Sequence, residues 1–171
     1  MAEINKEAMY KQLNTQQPQL DAAIAQYMTT PDMRQNLLHF INWLHTNGAT
    51  IKYADYEGQS PFWEIELNGK SFYMVLNGVD NVCIMLKMSF SPENQAIMRK
   101  NNMQDTILNN LQYCTRKDGG HCGNCHLPHD VTGQEVEIFD KTIQNLCCGQ
   151  FISFDNPDSA TIEGIQQLIN L

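Results

Sequence analysis

Apolar residues recur along this chain with two different periods, and the switch between them predicts its elements. Residues 1–29 read as a polar N-terminal helical segment. Thr30-Pro31-Asp32 then supplies a capping residue, a proline preset for the first helical position and a first-turn carboxylate. Met33, Leu37, Phe40, Ile41 and Leu44 follow at spacings of three and four, so they form one stripe of a helix that Gly48 can terminate. The period then shortens to two. Trp63, Ile65 and Leu67 alternate with Glu64 and Glu66, and Asn68-Gly69 has the backbone preferences of a tight hairpin. Phe72, Met74 and Leu76 continue the alternation, and a turn at residues 78–81 leads to Val82, Ile84, Leu86 and Met88. Together these segments predict a three-stranded antiparallel meander with one buried face and with helices packed on that face.

The second half is less regular. Ser91-Pro92-Glu93 marks a helix start, Asn101-Asn102 breaks the run, and Ile107, Leu108 and Leu111 predict a further helix running toward Cys114. Residues 113–133 form a loop rich in Cys, His and Gly with few large apolar groups, so something other than a hydrophobic core has to hold it. Val136 and Ile138 predict a short strand, Phe151-Ile152-Ser153-Phe154 another, and Asn156-Pro157-Asp158 opens a last helix whose stripe is Ile162, Ile165, Leu168 and Ile169. The expected fold class is therefore α+β, an antiparallel meander with helices on one face and a Cys-rich metal-binding loop, in a single domain spanning residues 1–171.

Composition narrows the function classes. With 11 basic and 19 acidic residues the formal charge is −8, which opposes a phosphate backbone, so nucleic acid is excluded as a partner in favour of a small molecule or a protein. The opening MAEINKEAMYKQ lacks the apolar core of a secretory signal and no stretch is long and apolar enough to cross a bilayer. A cytoplasmic chain with no membrane partner is expected. Six cysteines in a reducing compartment point to metal or redox chemistry rather than to a disulfide framework.

Four of those cysteines stand out. Cys122-Gly-Asn-Cys125 is a CxxC pair whose gap lets the backbone curl round an ion, and Cys114 and Cys147 are the best candidates to complete a tetrahedron. Four sulfur ligands suit zinc or an iron–sulfur cluster; a closed set with no open position is the character of structural zinc, and Gly119, Gly120, Gly123, Arg116 and Lys117 are placed to offset the excess negative charge. Any of His121, His126 or His129 can substitute for a cysteine, although each also reads as a solvated loop residue. Two further readings of the same stretch are a covalent haem attachment at Cys122–His126 and a redox CxxC; the haem motif leaves Cys114 and Cys147 without a role, and the redox motif normally sits at a helix N-terminus after a strand.

The remaining candidates have plainer explanations. Cys83 fits a core or edge position, and Cys148 points away from the ion that Cys147 would bind. Trp63, Tyr53, Tyr56 and Tyr73 either line a small-molecule pocket on the open sheet face or pack against the helices, and Met85, Met88 and Met98 read as core filler. No nucleophile and base pair is recognisable, so a catalytic residue is not assigned.

The element order around FWEIELNGKSFYMVLNGVDNVCIML, with FISFDNPDSATIEGIQQLI closing the chain, resembles the YdhG-like, frataxin-like class of small bacterial α+β proteins. CTRKDGGHCGNC, followed by NLCCG and FDNPD, resembles a group of bacterial proteins carrying a cysteine-rich insertion in this setting. The resemblance implies a compact fold without enzymatic activity and, for frataxin-like members, iron handling through acidic surface residues. The plain members lack the cysteine loop, and no residue role is carried over from them. The expected function is a non-catalytic module, stabilised by zinc, that binds a ligand or a protein partner. A CxxC redox protein and an iron-handling protein are the alternatives.

Overall fold

The computed structural model describes residues 5–54, 60–114, 133–147 and 150–171. Two helices, α1 (Lys6–Gln16) and α2 (Leu20–Tyr27), make up the N-terminal segment and are followed by α3 (Pro31–Thr46). Four strands come next: β1 (Thr50–Ala54), β2 (Phe62–Leu67), β3 (Lys70–Gly78) and β4 (Asn81–Lys87). Then come α4 (Pro92–Lys100), α5 (Gln104–Asn109), β5 (Gln134–Ile138), β6 (Lys141–Leu146), β7 (Phe151–Asp155) and α6 (Ser159–Asn170). The fold is α+β, with a five-stranded sheet in the order β1-β2-β3-β4-β7 and a separate β5-β6 hairpin. The predicted meander is its centre. By contact density the chain divides into two compact units, Met1–Leu86 with Phe154–Leu171, and Lys87–Ser153.

In the first unit, register follows from the period-two pattern. Trp63 opposes Met74 and Met74 opposes Ile84, while Ile65 opposes Phe72 and Phe72 opposes Leu86, so the apolar set of all three strands falls on one face. All of these side chains are buried. Asn68 and Gly69 both adopt left-handed backbone (φ 54° and 72°), which gives the mirror-image turn that matches strand twist. Helices cover this face. The Phe40 ring of α3 lies 6.5 Å from that of Phe72, and the Trp63 indole donates to the carbonyl of Pro18, between α1 and α2, at 3.0 Å. The opposite face carries exposed Glu64 and Glu66 beside half-buried Tyr73, Val75 and Met85.

Two sequence expectations change. The strand β1 was not foreseen; it pairs antiparallel with β2, Tyr53 opposite Trp63, and its short polar-apolar mixture TIKYA has no clean alternation to announce it. Thr30 occupies the N-cap of α3 but makes no side-chain capping bond. Asp80, in the β3–β4 turn, instead accepts from the backbone N–H of Thr29 at 2.6 Å and of Thr30 at 2.9 Å, and from the Thr29 hydroxyl. For Trp63 and Tyr53 the second of the two readings holds: Trp63 is 1% exposed in the helix-covered core, with Tyr53 packed edge-on at 5.4 Å, while Tyr73 is half-buried on the opposite face. Tyr56 lies outside the described residues. Among the described residues no helix is long and apolar enough to cross a membrane.

The last helix closes the first unit through local signals that were legible. Asn156 pairs with Val82 twice, its backbone N–H donating to the Val82 carbonyl at 2.8 Å and its side-chain oxygen accepting from the Val82 N–H at 2.9 Å. Asp158 then caps α6 by accepting from the Thr161 N–H at 2.8 Å. That bond is the main cause holding the Asp158 carboxyl below its ordinary range. At the other end, the Lys70 ammonium donates to the Leu168 carbonyl at 2.8 Å, satisfying a C-terminal helix acceptor.

Two stability predictions follow from polar groups in this unit. Partial burial pushes the Asp80 carboxyl up, but the hydrogen bonds from Thr29 and Thr30 outweigh it and the net shift is downward. A lowered folded-state value contributes stability above the ordinary carboxylate range, and that contribution is lost as pH falls through the folded value. Asp80→Ala is expected to lose about 1–2 kcal/mol in urea unfolding at neutral pH. Asp80→Asn should show a shallower decline than wild type between about pH 5 and the acid limit, the part that remains including the contribution of Asp158. The Tyr27 hydroxyl is fully buried with no hydrogen-bond partner among the described residues. Removing an unsatisfied polar group relieves its desolvation, so Tyr27→Phe should raise the thermal midpoint, by about 1 kcal/mol of stability.

Candidate metal centre

The second unit presents the predicted cysteines through backbone pairing. β5 and β6 form a hairpin whose two-residue turn, Phe139-Asp140, is left-handed at both positions (φ 49° and 63°). A phenylalanine there is unfavourable, and neighbouring side chains compensate. Gln95 of α4 accepts from the Phe139 N–H at 2.8 Å and donates to the carbonyls of Phe90 and Glu137 at 2.8 and 2.9 Å. Arg99 pairs with Asp140 at 2.8 Å and lies 5.3 Å from the centre of the Phe139 ring. A shallow depression of about 290 Å³ lies among Pro92, Gln95, Ala96, Arg99, Glu137 and Asp140. Its Gln95 amide is engaged in the three bonds above, and Arg99 pairs through Nη2 with Asp140.

The far end of the hairpin is where the cysteines meet. Pairing shifts register between Gln134↔Leu146 and Val136↔Ile143, so β6 carries one extra residue there, and Asn145 takes a left-handed conformation (φ 58°). Leu146 is paired a second time, on its other edge, with Tyr113 in an antiparallel bridge. The two bonds of that bridge run from the Cys114 N–H to the Asn145 carbonyl (2.7 Å) and from the Cys147 N–H to the Gln112 carbonyl (2.9 Å). Cys114 is therefore not at the exit of a helix, as the sequence suggested. The helix α5 ends at Asn109, and residues 112–114 are extended against β6, because the tertiary pairing overrides the short Ile107–Leu111 stripe.

This register fixes the relation of Cys114 to Cys147. Tyr113 and Leu146 face one another, so alternation turns the residues that follow each of them to the opposite side of the ladder. Cys114 opposes Asn145, and Cys147 is two residues further on, which makes the thiols a diagonal pair. Diagonal neighbours in an antiparallel ladder stand about 7–8 Å apart at Cα. Cys147 is buried and Cys114 half-buried, and neither is in a disulfide.

The same stretch of β6 holds both ends of the Cys-rich loop. Cys114 bonds to Asn145 from one edge, and Gly133 packs on Asn145 from the other so closely that a Cβ would stand 2.5–2.6 Å from its backbone atoms. Only glycine fits there. Cys122 lies eight residues beyond Cys114, and Cys125 eight residues before Gly133, so the CxxC pair falls midway between two anchored ends. Cys122, Cys125, Cys148, the three loop histidines, Arg116, Lys117 and the three loop glycines lie outside the described residues. Among the described residues no three His, Cys, Asp or Glu side chains form a metal-binding group. Cys83 is buried in β4, as its alternating position suggested, and Met98 is fully buried while Met85 and Met88 are half-buried.

Two features escaped the sequence reading. The β6 strand was not recognised, because Thr142-Ile143-Gln144-Asn145 offers one apolar residue and Phe139-Asp140 is not a favoured turn pair. The role of Gly133 was also missed, although a glycine bordering a strand is a signal of close backbone approach. No family model, curated protein or solved structure matches this chain. Its function is therefore argued from its own residues.

Gly133→Ala should force the loop anchor away from Asn145 and lower stability by about 1–3 kcal/mol, read as a lower urea midpoint with an unchanged slope.

Proposed function

We propose that the unit Lys87–Ser153 is a non-catalytic module stabilised by one structural zinc ion, with Cys114, Cys122, Cys125 and Cys147 as its ligands. The observation that carries this reading is the diagonal placement of Cys114 and Cys147 at the base of the loop that bears the CxxC pair. Disulfides need Cβ atoms about 3.5–4.5 Å apart, closer than a diagonal pair stands, whereas two thiolates each about 2.3 Å from a shared ion tolerate the wider separation. The two loop thiols would complete a closed tetrahedral set, which leaves no position for substrate water and gives the ion a role in folding.

Loop closure favours the same conclusion. Both ends of residues 115–132 are already held against β6, so part of the entropic cost of bringing the ligands together is met before the ion binds. The surrounding polar segment has little apolar area to bury, and metal coordination replaces it as the source of order. The chain acts, on this reading, by presenting a rigid surface to a small molecule or protein partner in the cytoplasm rather than by catalysing a reaction.

Protein purified without added metal should carry about one zinc per chain by elemental analysis. Cys114→Ser and Cys147→Ser should each reduce that content and leave the second unit open to proteolysis. A metal-free wild-type protein that remains folded, with every cysteine titratable by a thiol reagent, would overturn the proposal.

A further inference from the structure

Gln150 is a buried carboxamide, 3% exposed, at the point where the cysteine ladder would otherwise continue. Its Oε1 accepts from the Gln112 N–H at 3.0 Å, and its Nε2 donates to the Cys147 carbonyl at 3.1 Å and to the Gln112 carbonyl. Gln112 and Cys147 are opposed residues, and the Cys147 N–H already donates to the Gln112 carbonyl. In an uninterrupted antiparallel pair the reciprocal bond would run from the Gln112 N–H to the Cys147 carbonyl. Here each of those two groups bonds to Gln150 instead, so the side-chain amide stands between them like an inserted peptide. Its own backbone carbonyl is fixed in turn by the Met88 N–H at 3.1 Å.

We infer that Gln150 is a positioning residue for the thiol pair: it wedges the ladder open at Cys147 and thereby sets the separation and tilt of the Cys147 and Cys114 sulfurs for a shared ion. The inference rests on the zinc reading above. Two strands that needed only to be joined would satisfy these backbone groups directly, and no buried amide would be required. The wedge gains a purpose where the strands must diverge next to a ligand. Groups that orient metal ligands from outside the coordination shell commonly change affinity by about 10–100-fold when removed.

The experiment compares wild-type protein with Gln150→Met, which keeps the bulk and removes all three bonds, and Gln150→Glu, which keeps the acceptor and loses both donated bonds. Zinc affinity is measured by chelator competition, and ligand geometry by the visible absorption of the cobalt(II)-substituted protein. Both variants should bind zinc about tenfold or more weakly, with altered cobalt band positions or intensities. Wild-type affinity and an unchanged cobalt spectrum in the variants, even with lower thermal stability, would assign Gln150 a merely structural role and sink the inference. A wild-type protein that takes up neither metal defeats the zinc reading itself. Should both variants fail to fold, the Gln150 side-chain amide resonances of the wild type decide: they must shift on zinc removal, and their constancy overturns the inference.

Discussion

Leu146 is opposed by a strand partner on each of its edges, Gln134 on one and Tyr113 on the other, and the arrangement of the cysteine-bearing unit depends on that double pairing. One edge receives β5 and the other receives Tyr113, so three chain segments distant in sequence are brought side by side. Successive strands stand about 4.8 Å apart, which puts the two ends of the Cys-rich stretch within about 10 Å of each other. The bulge at Asn145 makes this possible. An extra residue in β6 bends the strand and frees its backbone to meet Cys114 on one side and Gly133 on the other.

The two units use the same physical device for different ends. In the first, Asp80 reaches from a strand turn to cap a helix that its own cap residue leaves unsatisfied, and Asn156 completes the edge of β4 with both backbone and side chain. In the second, Gln95 and Gln150 serve backbone groups that no ladder reaches. Polar side chains thus finish hydrogen bonding that regular structure leaves open, and each does so for chain segments far from it in sequence. Such contacts select one tertiary arrangement among several that satisfy the hydrophobic pattern alone.

How much of this was readable in the sequence follows the same division. Wherever periodicity and turn chemistry agreed, as in Trp63–Leu67, Asn68-Gly69 and Phe72–Leu76, the element and its buried face were legible. The closing helix announced itself through Asn156-Pro157-Asp158. By contrast β1, β6 and the extended path of residues 112–114 depend on partners that only the folded chain supplies, and their own residues carry weak or contrary signals. Cys114 and Cys147 were singled out by residue type, yet their placement on one side of a ladder comes from the pairing of Tyr113 with Leu146. Gln150 carried no signal, since a lone glutamine before a strand reads as solvent-facing.

The clamp at Gln150 is electrically neutral, and a carboxamide neither gains nor loses a proton over the range in which carboxylates, imidazoles and thiols titrate. An aspartate or glutamate in that role would change its hydrogen bonding as it took up a proton in acid. With an amide, the hydrogen bonds to Gln112 and Cys147 persist throughout that range. The backbone contacts that Cys147 and Gln112 make through this side chain therefore carry no pH dependence of their own.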